Sequence, residues 1–379
     1  MKLHLPEPQR RVKKKIYLLR LLKKILFLIL VIEIGLFGFL FFRETKKINV
    51  LLGEVPIHLI KIIKKERTLP FKPEYLIWEE AVANAPWSKR DAQTAVVFDG
   101  KIWVMGGIED GETKLPYELH IHKSDVWVSE NGKDWKLVTD KADWGKRRAQ
   151  ASVVFKDKIW IIGGWEKESW EHKNDAWYSE DGLNWLISTS SAGWSPRRGH
   201  SVVVFNDKIW LIGGVDDKGA KNDVWVSDDG KNWQLVTDSA PWSRRYDQTV
   251  TVFENKLWLV GGAQPGLPGE KDIWVSEDGK NWQLLTNNPP WPGRHGHCTL
   301  LFKDRIWILG GWDGIGKGFN DVWYSEDGFS WERTLENALW AGREDHSCGV
   351  LKEKIWVMGG MLTGGGRQND VWHSVEVEG

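Results

Sequence analysis

A tryptophan-rich repeat dominates this 379-residue chain, which contains 27 tryptophans. Of these, 24 fall into four columns of six, with one member of each column in every repeat. The column before Gly-Gly is Trp103, Trp160, Trp210, Trp258, Trp307 and Trp356, and the column ending an Asp-x-Trp triplet is Trp127, Trp177, Trp225, Trp274, Trp323 and Trp372. The column after an Asx-Gly turn is Trp135, Trp185, Trp233, Trp282 and Trp331, with Trp78 as a displaced sixth member, and the column three before an arginine is Trp87, Trp144, Trp194, Trp242, Trp291 and Trp340. Trp165, Trp170 and Trp312 belong to no column.

The spacing of the repeat predicts its architecture. The Gly-Gly pairs recur after 57 residues once and then every 48 to 50 residues, as expected for propeller blades of four strands. Within the unit 199–238, β-branched runs between Asx-containing turns predict strands at 200–205, 208–212, 223–227 and 233–236.

The two ends of the repeat region complete each other. The sixth unit stops at 370–377 without its fourth strand, whereas residues 75–82, followed by Trp87 and Arg90, match that strand in the other units. A strand at 75–82 that completes blade six closes the ring and leaves no open sheet edge. The sequence therefore predicts an all-β, six-bladed β-propeller closed by an N-terminal strand.

Residues 197–214, Arg-Arg-Gly-His-Ser-Val-Val-Val-Phe-Asn-Asp-Lys-Ile-Trp-Leu-Ile-Gly-Gly, resemble the kelch repeat. The resemblance extends over residues 75–377, because Gly-Gly, the tryptophans and the arginine recur in register. It implies a six-bladed kelch-type β-propeller, related in fold to galactose oxidase, and no particular chemistry.

A membrane anchor is predicted before the propeller. Residues 1–24 carry nine Lys or Arg, and the 18 residues 25–42 contain one charge, Glu33, which is long enough to span a bilayer. No small-x-small cleavage site follows, so we expect a signal anchor that is retained. The predicted organisation is a basic cytoplasmic tail (1–24), a transmembrane helix (25–42), a stalk (43–72) and an extracytoplasmic propeller (73–379).

Charge and cysteine content limit the partners. The net charge of zero hides a basic N-terminus and an acidic propeller. Because the basic run adjoins an apolar segment, it predicts contact with lipid headgroups and no nucleic-acid partner. Cys298 and Cys348, in the first strands of neighbouring blades, are interpreted as free packed thiols, with a disulfide as the less favoured alternative.

One face of the propeller is expected to bind ligand. The loops after Gly-Gly differ between blades, and all three unassigned tryptophans, Trp165, Trp170 and Trp312, lie in them. Variable loops on a rigid scaffold commonly carry binding, and exposed indoles suit sugar rings or peptides. The alternative for Trp165 and Trp312 is that they cap their blades.

Arginines recur in every blade as Arg90, Arg147, Arg197, Arg245, Arg294 and Arg343. The kelch resemblance implies that they lie near the channel mouth, where they either fasten the blades or orient an anionic group of a ligand. The residues after them differ, and Tyr246 and His295 are included among the candidate binding residues.

Two enzymatic alternatives remain open at this stage. An oxidase-like copper site would need Tyr246, His295, His297, Cys298 and His346 to converge, although His297 and His346 align with His200 and three glutamines in a shared hydrogen-bonding position. A mutarotase-like site acting on a sugar or sugar acid would draw on Glu166, Glu168, His172, Asp216, Asp217, Asp313, Asp345 and Arg367.

The favoured hypothesis is a membrane-anchored binding module, not an enzyme, that recognises a glycan or a peptide without a cofactor or a metal. An enzyme on a sugar or sugar acid and a scaffold joining envelope proteins are the alternatives.

Overall fold

The computed structural model describes residues 71–110, 120–334 and 337–376. Contacts divide the chain into Met1–Phe71 and Lys72–Gly379. The predicted tail at 1–24 and membrane span at 25–42 lie outside the described residues. Among the residues that are described, no helix is long and apolar enough to cross a membrane.

The regular secondary structure of the described residues is almost entirely β-strand. After a short 3-10 helix, Pro73–Tyr75, comes β1 (Leu76–Val82). Blade one contains β2 (Thr94–Phe98), β3 (Lys101–Glu109), β4 (Ile121–Ser129) and β5 (Trp135–Thr139). Blade two contains β6 (Arg147–Arg148), β7 (Ala151–Phe155), β8 (Lys158–Glu166), β9 (Glu171–Ser179) and β10 (Leu186–Thr189). Blade three contains β11 (Ser201–Phe205), β12 (Lys208–Ile212), β13 (Val215–Asp216), β14 (Gly219–Ala220), β15 (Val224–Ser227) and β16 (Gln234–Thr237).

The last three blades follow the same plan. Blade four contains β17 (Thr249–Phe253), β18 (Lys256–Val260), β19 (Ile273–Ser276) and β20 (Trp282–Thr286). Blade five contains β21 (Cys298–Phe302), β22 (Arg305–Trp312), β23 (Gly318–Ser325) and β24 (Glu332–Arg333). Blade six contains β25 (Arg343–Glu344), β26 (Ser347–Leu351), β27 (Lys354–Leu362), β28 (Arg367–Glu376) and β1. The predicted all-β, six-bladed propeller is confirmed.

Strand β1 supplies the outer strand of blade six. It pairs antiparallel with β28, from Leu76 opposite Glu376 to Val82 opposite Val371. Trp78 packs edge-on against Trp340 with ring centroids 5.9 Å apart, as Trp135 packs against Trp87 at 6.0 Å in blade one. The displaced tryptophan thus occupies the sixth place of its column.

Neighbouring blades are joined by a glycine that fits over a tryptophan. Gly230, in the Ser-x-Asp-Gly turn of blade three, has a φ of +71°, and a Cβ there would overlap the indole of Trp160 in blade two. The same contact recurs between the turn glycines of the first five blades and the preceding blade's first-column tryptophan. This repeated fit explains why both residue types recur in the sequence.

A disulfide joins the inner strands of blades five and six. Cys298 in β21 is bonded to Cys348 in β26, with their Cα atoms 6.3 Å apart. The interpretation of these residues as free thiols is therefore wrong. Their different distances from the repeated arginines gave no indication that adjacent inner strands, held side by side, bring both sulfur atoms into bonding range.

Replacing Gly230 by Ala tests the contact between blades. The added methyl group must displace the Trp160 indole, so we expect a loss of roughly 1–3 kcal/mol in the free energy of unfolding. Gly100→Ala is the matched control, because Gly100 has a φ of +66° and open space around it. Equal unfolding midpoints for the two variants in urea would show that the overlap with Trp160 carries no cost.

Removing the disulfide tests its contribution. The double variant Cys298→Ser, Cys348→Ser is expected to lose roughly 2–4 kcal/mol in the free energy of unfolding, because a cross-link over 50 residues restricts the unfolded chain. Denaturant unfolding with and without a reductant measures this loss. A reductant should destabilise the wild type alone, and a reductant effect on the variant would contradict the assignment.

Candidate binding site at the channel mouth

The loops that differ between blades and the linkers between blades share one end of the propeller, here called the variable face. Short backbone bridges tie each linker to its loop, as between Arg198 and Val215 in blade three and between His295 and Trp312 in blade five. The linkers continue into the inner strands, so the variable face surrounds the mouth of the central channel.

The six repeated arginines are buried beneath this face, each no more than 1% exposed. Arg197 is typical, because its two terminal nitrogens hold both carboxylate oxygens of Asp223 at 2.6 and 2.7 Å. The same guanidinium also donates to the carbonyl oxygen of Gly213 at 2.9 Å. The other five pairs are Arg90–Asp125, Arg147–Asp175, Arg245–Asp272, Arg294–Asp321 and Arg343–Asp370. The guanidinium groups thus fasten each linker to the third strand of its own blade.

Around the channel mouth runs a closed ring of backbone hydrogen bonds, which we call the collar. Its six residues all have φ between 49° and 61°, and each N–H donates to the carbonyl oxygen of the preceding blade's member over 2.8 to 3.1 Å. The members are Ala92, Ala149, Gly199, Asp247, Gly296 and Asp345. The collar was not predicted from the sequence, although a small residue or Asp two positions after each arginine was its visible signal.

Two carboxylates extend from the collar over their neighbours. The side chain of Asp247 fills the space that a Cβ at Gly199 would occupy, and the side chain of Asp345 does the same at Gly296. Glycine at these two collar positions therefore makes room for the acid of the next blade.

Below the collar, a ring of amides and imidazoles ties neighbouring blades together. Gln150 donates to the carbonyl oxygen of Met105 at 3.0 Å, and Gln93 and Gln248 make the equivalent bonds. His200 takes the place of the glutamine in blade three. Burial lowers the pKa of His200 to about 3, with a further contribution from Arg197, so its imidazole is neutral. His297 and His346 occupy the corresponding places.

The residues considered for a copper site do not converge at one point. His297 and His346 belong to the ring below the collar, and Cys298 is bonded to Cys348. Tyr246 and His295 remain together at the mouth, with ring centroids 5.9 Å apart. Within residues 71–110, 120–334 and 337–376, no three His, Cys, Asp or Glu side chains converge in metal-binding geometry.

The residue after each arginine faces the mouth, and these six mouth residues differ in charge. They are Asp91, Arg148, Arg198, Tyr246, His295 and Glu344. Asp91 is paired with Arg367, whose Nε lies 3.2 Å from its carboxylate. Arg148 and Arg198 follow one another in blades two and three, whereas Glu344, Asp345 and Asp91 follow one another in blades six and one. The mouth is therefore polarised, basic on one side and acidic on the other.

Crowding of carboxyl groups alters their acidity. Burial raises the pKa of Asp247 to about 6, although Arg198 and Arg148 oppose the shift, and the charge of Asp91 adds to it. Burial, together with the charges of Asp345, Asp247 and Asp91, raises the pKa of Glu344. The acidic side of the mouth thus favours the protonated, neutral form of its carboxyl groups.

The three unassigned tryptophans lie on opposite sides of the mouth. In blade two, Trp165 packs edge-on against Trp170 at 5.4 Å and lies 5.5 Å from the Arg148 guanidinium. Trp170 is 54% exposed. Trp312, in blade five, is half-buried and packs edge-on against His295 at 5.3 Å. Since blades two and five are three apart in a ring of six, these indoles form two separate walls.

Most of the acids and bases considered for a mutarotase-like site have local partners. His172 is hydrogen-bonded to Asp217 at 2.8 Å, and Asp216 pairs with Lys221 at 2.7 Å. Glu166 pairs with Lys173 and Glu168 with Lys146, while Asp313 accepts three N–H groups of its own loop and Arg367 binds Asp91 and Asp110. Asp345 is the member of this group that stands at the collar.

A wider cavity of about 830 Å³ opens at the opposite end, between the turns of blades four and five. Its walls include Glu254, Lys303 and Asp304, which belong to turns that recur in nearly the same form in other blades. The variable face, where loops that differ between blades, indoles and buried carboxyl groups meet, is the better candidate for recognition.

Fold and repeat define a kelch propeller. The family model for the KLHDC2/KLHL20/DRC7 Kelch-repeats domain matches residues 65–262, more than half of the chain. The chain therefore belongs to this family. No curated protein matches it significantly. Kelch domains generally mediate binding between proteins, which favours a protein-binding module.

Replacing Asp247 by Asn tests the electrostatics of the mouth. Since the folded-state pKa of Asp247 is raised to about 6 from 3.8, ionisation weakens the native state as pH rises through this interval. We expect the variant to melt at a higher temperature than the wild type at about pH 8, with the difference vanishing towards pH 4.

Asp207→Asn is the matched control, because exposed Asp207 has the same backbone conformation, with a φ of 54°, on the opposite face. Thermal unfolding of the three proteins across this pH range measures the effect. A pH-independent difference, or an equal effect of the control, would contradict the assignment.

Proposed function

We propose that this protein is an extracytoplasmic binding module that holds a peptide segment of a partner protein across the channel mouth. The observation that carries the proposal is the pair of indole walls, Trp165 with Trp170 on one side and Trp312 on the other, flanking a polarised collar. Membership of the kelch family, whose domains generally bind proteins, favours a peptide over a glycan.

The dimensions and chemistry of the mouth support a chain-like ligand. The collar cavity itself has a volume of only about 150 Å³, below the ~300–1,000 Å³ typical of small-molecule pockets. A ligand that reaches both indole walls must lie over the collar and extend across several blades. An extended peptide does this, and aromatic side chains are the common anchors of protein interfaces.

In this proposal residues 25–42 anchor the chain with residues 1–24 in the cytoplasm. The disulfide between Cys298 and Cys348 supports an extracytoplasmic propeller, because structural disulfides persist in oxidising compartments and are rare in the cytosol. A kelch module in that position would bind proteins of the cell envelope or outside it.

Replacing Trp165, Trp170 and Trp312 together by Ala tests the proposal. The full-length protein is screened against arrays of short peptides and of glycans, and the affinities of the peptides that bind are measured for both proteins. We expect the triple variant to bind at least about tenfold more weakly, since anchor aromatics carry much of the binding energy.

The control variant replaces Leu137, Leu186 and Leu235, exposed apolar residues on outer strands of three blades, and should bind like the wild type. Circular dichroism and thermal unfolding establish that both variants are folded. Unchanged peptide affinity in the triple tryptophan variant would refute the proposal, and binding of glycans without any peptide would replace it with the glycan alternative.

A further inference from the structure

A small cavity of about 220 Å³ lies at the acidic side of the mouth, between the variable loops of blades five and six. Its walls include Trp312, Met361 and Leu362, and Glu344 reaches it from the linker. The volume is below that of typical small-molecule pockets, which begin at ~300 Å³. The cavity is therefore suited to a single long side chain of a larger ligand.

The walls of this cavity are held in place by hydrogen bonds. Gly318 donates its N–H to the Oγ1 of Thr363 at 2.7 Å, which joins the two loops. Trp312 exchanges two backbone hydrogen bonds with His295, at 2.9 and 3.0 Å. A preformed cavity of this kind loses little conformational entropy when it is filled.

Glu344 lacks a donor for its carboxylate. Among the residues that the structure describes, none donates a hydrogen bond to it, and the nearest basic atom is Nδ1 of His295 at 3.9 Å. His295 is itself 95% buried, and its Nδ1 also lacks a hydrogen-bond partner. The Glu344 carboxyl group in the cavity wall and the buried Nδ1 of His295, whose ring packs against Trp312, thus have no hydrogen-bond partner among the described residues.

Burial and the charges near Glu344 disfavour its ionised form. Asp345, Asp247 and Asp91 are close enough to raise the pKa of Glu344 further beyond the effect of burial. Lys317, on the neighbouring loop, has its Nζ 5.5 Å from the ring of Phe319. Arg148 and Arg198 belong to blades two and three, across the mouth. A cation brought to this part of the cavity would therefore favour the ionised form of Glu344.

We propose that the cavity receives a lysine or arginine side chain of the partner protein, with its stem against Trp312, Met361 and Leu362 and its cation at Glu344. The stem suits the apolar walls, because Lys and Arg can pack their methylene groups against apolar surface while their charged group makes polar contacts. An apolar side chain would leave the Glu344 carboxyl group without a hydrogen-bond partner, and an acidic one would add repulsion. This assignment rests on the proposed function, since it specifies one residue of the bound peptide.

The test compares the wild type with Glu344→Gln on an array of short peptides of varied sequence, using the full-length protein. We expect peptides that bind the wild type to be enriched in Lys or Arg. Replacing the Lys or Arg on which binding depends by norleucine, which keeps the stem and removes the charge, should abolish the advantage of these peptides over others on the array. In Glu344→Gln these peptides should bind at least about tenfold more weakly, because removing one member of a buried charge pair chiefly speeds dissociation.

Glu277→Gln is the matched control, because it removes the same charge from an exposed residue, paired with Lys256 at 2.9 Å, in the Ser-x-Asp-Gly turn of blade four, away from the variable face. It should change the affinity less than about twofold, as is usual for an exposed ion pair. Thermal unfolding of each variant establishes that it is folded.

The failures of the two proposals are distinguishable. Peptides that depend on the three tryptophans but show no enrichment in Lys or Arg, or that bind Glu344→Gln unchanged, would overturn this inference and leave the peptide-binding function intact. An absence of peptide binding in the wild type would overturn both.

Discussion

The buried Arg–Asp pair in each blade is the interaction on which the rest of the structure depends. Arg197 binds both oxygens of Asp223 and the carbonyl oxygen of Gly213, so one guanidinium joins the linker, the second strand and the third strand. An isolated charge at this depth would be prohibitively costly, whereas a bidentate pair with a further acceptor is satisfied. Because the linker is fixed there, the collar residue two positions later meets its neighbours in the same geometry in every blade.

This repeated fastening allows the mouth to be irregular. Six buried arginines fix the backbone, so the following residue is free to be an acid, a base or an aromatic without disturbing the ring. The same freedom concentrates carboxylates around Asp247 and Glu344, where burial and mutual repulsion raise their pKa values. The arginines that all blades share thus stabilise the ring, while recognition depends on the residues after them, which differ between blades.

Sequence alone predicted the features that the repeat encodes. The blade number, the strand at 75–82 and the face with variable loops all follow from periodicity, since each is a property of six similar segments. The disulfide and the collar do not follow from periodicity, because both depend on how different blades meet in space. The sequence singles out Trp165, Trp170 and Trp312 as members of no column, but their division into two walls required the positions of blades two and five. Periodicity does not reveal whether the repeated arginines fasten the blades or bind a ligand. Their pairing with Asp223 and its equivalents shows that they fasten the blades.

The pairing of β1 with β28 has a consequence for the order of events during synthesis. Among the described strands, β1 leaves the ribosome first and its partner β28 leaves last, so the outer position of blade six stays vacant until the other five blades have been synthesised. Five blades have all their strands by then, and both cysteines have emerged before β28 does. Closure of the ring must therefore wait for β28, and β1 must be kept from pairing with other strand edges until that moment.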